Sequence, residues 1–167
     1  RLYSDSDRLC AQYHRLSGKH VIATPVPIDV SGPAPTTHGD DPDDLNIVVL
    51  GEPRDEKGFW LLPELVDAII TSHPMVRFTI QIGTHVPPGE PRSQYARAAL
   101  CAANHPQVTL LREPLDADTY ARTLRGASVL LLPYDPVAYR ARTSGILAEA
   151  LAEGVPSIVP AGTWMED

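Results

Sequence analysis

The stretch Asn46–Ser72, NIVVLGEPRDEKGFWLLPELVDAIITS, decides the fold. It opens on a continuous apolar run, Asn46 to Leu50, of the kind that marks a strand buried on both faces. From Gly58 to Ser72 the apolar residues Leu61, Leu62, Leu65, Val66, Ile69 and Ile70 form one broad helical stripe. A charged loop joins the two. The same strand, loop and helix return downstream. Val76–Ile82, Val108–Leu111, Val129–Leu132 and Ser157–Val159 read as strands. Pro91–Asn104, a helix running through Arg125 with Asp116 as its N-cap, and Gly145–Glu153 read as the helices between them. Single helices between strands mean βαβ crossovers and a parallel sheet. The expected fold is a Rossmann-like α/β three-layer sandwich with a mainly parallel sheet of about five to six strands.

Upstream, Arg1–His20 reads as one helix, with Leu2, Leu9, Tyr13 and Leu16 at roughly helical spacing, followed by the apolar Val21-Ile22-Ala23. Residues 31–44 turn to Ser, Gly, Pro, Thr and Asp, the composition of a linker, so the compact domain is expected to span 45–167. Asp40, Asp41, Asp43 and Asp44 fall in that linker beside Pro42 and read as a solvated spacer rather than a metal motif.

Of the 167 residues, 21 are acidic against 14 Lys and Arg, a net charge of −7 that argues against nucleic-acid binding. Cys10 and Cys101 stand far apart without metal-spaced neighbours and read as reduced residues of a cytoplasmic protein. The apolar runs are too short to span a bilayer.

In an open parallel sheet, ligands bind beyond the carboxyl ends of the strands. The loop after the first strand, Gly51–Gly58, lacks both Gly-rich phosphate fingerprints, yet it sets Arg54 and Lys57 just before a helix. Those two cations either grip an anion or simply pair with Asp55 and Glu56 in a solvated turn. The loop after the fourth strand leads into a helix start at Ser144, Gly145 and Ile146, whose backbone N–H groups are free for an anion unless Thr143 or Ser144 merely caps the helix. Glu149 follows one turn on, among Ala148, Ala150 and Leu151, facing either a polar ligand or solvent.

Three segments carry a resemblance: VVLGEPRDEKGF (Val48–Phe59), LREPLDADTYARTLRGASVLLLPYDP (Leu111–Pro136) and RTSGILAEALAEGVPSIVPAGT (Arg142–Thr163). Together they resemble the C-terminal domain of GT-B fold retaining glycosyltransferases of the family 4, or group 1, type. The resemblance implies a nucleoside-diphosphate sugar as donor substrate, with Arg54 and Lys57 as the catalytic cations on its diphosphate. It implies Gly51, Ser144, Gly145 and Ile146 at the phosphate or transferred sugar, Glu149 at the ribose hydroxyls, and the chain from Glu113 to Leu115 at the nucleobase. It implies no metal and no other cofactor. Residues 1–30 resemble the tail of the family's N-terminal acceptor-binding domain and 31–44 its interdomain linker. The chain is therefore expected to be a segment of a longer cytoplasmic enzyme, inactive alone, whose contact with any membrane surface would come through the absent part. The acceptor, whether glycan, lipid or small molecule, is left open.

The sequence departs from the family in two places. The diphosphate arginine usually follows the strand's glycine directly, where this chain has Glu52; Arg54 stands two places later. The family's paired glutamates are separated by seven intervening residues; Glu149 matches the second, but Ala141 fills the first, and Arg140 or Arg142 is the candidate to take over nearby. Ala141 keeps open a catalytically degenerate nucleotide-binding or interaction domain. An epimerase on the same plan is the other alternative, for which His85 would be the loop histidine.

Overall fold

The computed structural model describes residues 1–28 and 45–166. Five strands make the main sheet: β3 (Asn46–Val49), β4 (Arg77–Gln81), β5 (Val108–Leu111), β6 (Val129–Leu131) and β7 (Ser157–Ile158). They are hydrogen-bonded in the order β5-β4-β3-β6-β7, every pair parallel, with Val48 opposite both Thr79 and Leu130. The helices between them are α2 (Leu62–Ser72), α3 (Pro91–Ala103), α4 (Ala117–Arg125) and α5 (Gly145–Ala152).

Alternation along β3 builds the layers. Ile47 and Val49 point to a core with Leu62, Val66 and Ile70 of α2, Ala96 and Leu100 of α3, and Phe78 and Ile80 of β4. Val48 and Leu50 point to the opposite core with Leu124 of α4, Leu130 of β6, and Leu147 and Ala150 of α5. Helices therefore cover both faces, the three-layer sandwich that the unbroken apolar run of β3 requires. Phe78, Ile80, Leu62 and Leu130 are fully buried, each contributing about 2–3 kcal/mol by removal from water.

Two boundaries differ from the sequence reading. Residues 1–20 are not one helix: Leu2–Ser4 form a strand, β1, which pairs in parallel with β2 (Val21–Ala23) around helix α1 (Asp7–Ser17). Ser6 is the N-cap of α1, its Oγ accepting from Leu9 N at 3.1 Å, so the chain before it is extended and finds its backbone partners in β2. A few apolar residues match a helical period and a strand period equally well, and the cap decides. Helix α2 begins at Leu62 rather than Gly58, because Gly58 is left-handed (φ 67°) and a tight turn over Phe59–Leu61 comes first. Pro63 sits in the first turn of α2, where its missing N–H costs nothing. Asp116, in contrast, is the N-cap the sequence predicts, its carboxylate accepting from Thr119 N at 2.7 Å. The linker and its aspartates lie outside the described residues.

Candidate functional site

The strand order reverses direction between β3 and β6, so the crevice at their carboxyl ends is where a sheet of this topology takes its ligand. Two loops form it, Leu50–Gly58 after β3 and Leu132–Ser144 after β6. They are locked together: Asp135 N donates to Glu56 O at 2.9 Å, and Gly58 packs so closely on the Pro133 carbonyl that only a glycine fits. Asp55 faces away, accepting from Ser93 N and Ser93 Oγ at 2.7 Å each and so tying the first loop to the start of α3.

At the bottom of the crevice is Gly51, in a conformation (φ 111°) that side-chain-bearing residues avoid. A Cβ there would lie 3.0 Å from Ile146 Cδ1 and 3.1 Å from Lys57 Nζ, so Gly51, Lys57 and Ile146 meet at one point. The Lys57 ammonium stands 5.8 Å from the centroid of the Tyr134 ring. It forms no salt bridge among the described residues, and burial, with the neighbouring Arg54 charge, pulls its pKa below the usual lysine value.

The same crevice receives the start of α5. Ser144 is buried and caps the helix, its Oγ accepting from Leu147 N at 3.3 Å, as one of the two sequence readings holds. The cap leaves the N–H groups of Gly145 and Ile146 without a protein partner among the described residues, and Gly145 is exposed with open space around its α-carbon. Tyr134 is buried under this end. Burial pushes its phenol up to about 12, against a hydrogen bond with Ser144 that favours the ionised form.

The remaining predicted residues are placed differently. Arg54 is half exposed and paired, its Nε 2.9 Å from Glu52 Oε2 and its Nη1 3.7 Å from Glu56 Oε1. Its partners are thus Glu52 and Glu56, with Asp55 engaged elsewhere. Arg142 grips Glu56 through two bonds, at 2.7 and 3.2 Å, and stacks on Tyr139 at 4.7 Å. Glu149 is neither fully exposed nor turned to the crevice floor: it accepts a hydrogen bond from Tyr120 of α4, whose own ionisation is suppressed by burial and by that carboxylate. The two line a cleft of about 500 Å³ together with Pro27, Ile28 and Arg125. Leu115 packs on the α4–α5 core, while Glu113 is exposed. Ala141 offers its carbonyl to Ser6 Oγ at 2.7 Å. His85 is exposed, its Nδ1 3.1 Å from the Thr84 hydroxyl.

The structure therefore brings together Gly51, Lys57, Ser144, Gly145 and Ile146, and sets Arg54 and Glu149 at its margins in pairs of their own. The sequence reading missed Tyr134, Tyr139 and Tyr120. The first two follow β6 within a few residues, and aromatic residues in a strand-end loop are the signal that was there to be used.

No protein-family model matches the chain, and no curated protein does. Solved structures do. The C-terminal domain of a group 1 family glycosyl transferase from Francisella tularensis superposes with a TM-score of 0.62 at 16% identity, over 83% of this chain and 73% of that one. The chain has the fold of a GT-B glycosyltransferase C-terminal domain. The pneumococcal O-GlcNAc transferase, solved with UDP and GlcNAc, is similar at TM-score 0.61 and 17% identity over 96% of this chain and 30% of its own. TarM of S. aureus, solved with fondaparinux, α-GlcNAc-glycerol and UDP, is similar at 0.65 and 11%, over 93% and 28%. This chain spans about a third of the length of such full-length structures. No helix among the described residues is long and apolar enough to cross a membrane.

Proposed function

We propose that this chain is the donor-binding part of a retaining glycosyltransferase, taking a nucleoside-diphosphate sugar into the crevice between β3 and β6. One observation carries the reading. Lys57 is a half-buried ammonium with no carboxylate partner among the described residues, meeting the Ile146 side chain over Gly51, at the helix end whose Gly145 and Ile146 N–H groups have no protein partner among those residues. A partly desolvated cation beside a helix N-terminus is a site built for an anion. A diphosphate matches it in charge and size.

In the reaction, the bond from the anomeric carbon to the β-phosphate oxygen breaks and its electron pair leaves with the nucleoside diphosphate. Lys57 and the helix end stabilise that developing charge where water is partly excluded. Arg54 joins them by releasing Glu52. With these charges in place the reaction needs no divalent cation. Glu149, held by Tyr120, takes the ribose hydroxyls, and the Glu113–Leu115 segment borders the base. Retention is carried over from the resemblance alone. Residues 1–30 belong, in this reading, to the acceptor-binding side of a longer enzyme, joined through 31–44, and the acceptor is unassigned.

The test is a titration of the chain with UDP-, GDP- and ADP-sugars, following backbone amide shifts. Movement of Gly51, Lys57, Gly145 and Ile146 with at least one of them is expected. If none of the three moves these resonances, the proposal is wrong.

A further inference from the structure

Besides the crevice at Lys57, the described residues form another large cleft. It lies between α1 and the loop that precedes α5, encloses about 790 Å³, and is lined by Arg8, Arg15, Arg140 and Arg142. None of its lining residues is acidic. Four of the fourteen lysines and arginines of a chain with net charge −7 thus converge on one concave surface. Of the carboxylates among the described residues, Glu56 pairs with Arg142, while no ion pair joins Arg15 or Arg140 to an acidic side chain.

Two of the arginines are fixed and two are open. Arg8 donates to the carbonyls of Arg140 at 2.8 Å and Gly162 at 3.1 Å, which spans the cleft from α1 to both loops. Arg142 is anchored on Glu56 and on the Tyr139 ring. Arg15 and Arg140 are exposed and have no acidic partner among the described residues. A framework of held guanidinium groups with two unengaged ones beside it is suited to bidentate capture of a planar carboxylate or a tetrahedral phosphate.

Position specifies the ligand further. Ala141 lines the same cleft, at the place where the resemblance puts the glutamate that faces the transferred sugar. Where that glutamate would repel an anion, this chain has a methyl group flanked by arginines. We propose that the cleft is a subsite for a sugar bearing an anionic substituent, a carboxylate or a phosphate. The anion is carried either by the transferred sugar of the donor or by the acceptor. This rests on the donor reading for its orientation, but Gly51, Lys57 and Ile146 are not among the residues that line the cleft, so the two sites are tested separately.

The experiment uses the 167-residue chain at physiological salt, which screens loosely held ions, with two pairs of probes: UDP-glucuronic acid against UDP-glucose, and glucose 6-phosphate against glucose. Amide and arginine side-chain resonances report each site. Binding of UDP-glucuronic acid about tenfold tighter than UDP-glucose, with shifts at Arg15 and Arg140, places the anion on the donor sugar. Shifts at the same arginines with glucose 6-phosphate and not with glucose place it on the acceptor. The double variant R15A/R140A, which touches no partnered group, should abolish whichever preference is seen while leaving the response of Gly51 and Ile146 to UDP unchanged. If neither charged probe moves Arg15 or Arg140 more than its neutral counterpart, the cleft proposal is overturned, even where UDP shifts Lys57. If the charged probes move the arginines but UDP leaves the crevice untouched, the cleft stands and the donor reading falls.

Discussion

Gly58 and the Pro133 carbonyl are in such close contact that the loops after β3 and β6 have no room for a single extra carbon between them. Both the left-handed backbone at Gly58 (φ 67°) and the clash oppose a side chain. Gly58→Ala should therefore destabilise the fold by about 3 kcal/mol or more, measured by denaturant unfolding. A loss below about 1 kcal/mol would show that the loops are not locked at this point.

Lys57 carries a signed prediction in pH. Its pKa is lowered in the folded chain, so between that value and the ordinary lysine range the unfolded chain holds more protons. Stability should accordingly rise as the solution is made alkaline through this window, and Lys57→Met should remove the rise. Affinity for UDP should fall over the same window, because the ammonium loses its proton sooner than a free lysine does. Thermal melts and titration calorimetry across alkaline pH check both, and Lys57→Met should bind UDP at least about tenfold more weakly.

Glu52 competes with the donor for Arg54. Exposed ion pairs of this kind are worth about 0.2–1 kcal/mol, so Glu52→Gln should tighten UDP binding by about two- to fivefold, and Arg54→Ala should weaken it. Tighter binding after Glu52→Gln that persists in the Glu52→Gln/Arg54→Ala double variant would mean that Arg54 takes no part.

Tyr120 and Glu149 satisfy one another across α4 and α5. Glu149→Ala leaves the Tyr120 hydroxyl half-buried without its acceptor, a cost of about 1–3 kcal/mol in stability, and should also weaken UDP binding. Tyr120→Phe should cost stability but retain binding. Equal losses of binding in both variants would make Glu149 a purely structural residue.

How much of this was legible beforehand follows from what kind of information each feature needs. Strands buried on both faces announce themselves as unbroken apolar runs, and β3, with Ile47 and Val49 on one core and Val48 and Leu50 on the other, is such a run; hence the layers and the parallel sheet could be read directly. The cap at Asp116 is local and was readable in the same way, and the cap at Ser144 was one of the alternatives left open. Partner choice is not local. Nothing within Gly51–Gly58 says that Arg54 turns to Glu52, that Glu56 is taken by Arg142 eighty-six residues away, or that Asp55 is spent on Ser93, because those outcomes depend on which loops the sheet brings together. The strand at Leu2–Ser4 was hidden for the same reason: its partner, Val21–Ala23, lies on the far side of a helix.

The seam between the N-terminal βαβ unit and the sheet domain has a mechanical consequence. Ser6 holds the carbonyl of Ala141, Arg8 those of Arg140 and Gly162, and Asp5 the hydroxyl of Thr143, so one short segment clasps the backbone that feeds directly into the first turn of α5. Pulling that segment outward strains the very turn whose N–H groups face the crevice. A ligand that draws those N–H groups tight must in turn stiffen the clasp, since coupling between two equilibria runs equally in both directions. Occupancy at the tip of α5 and the grip of Asp5, Ser6 and Arg8 on the loop before it are thus two ends of one lever.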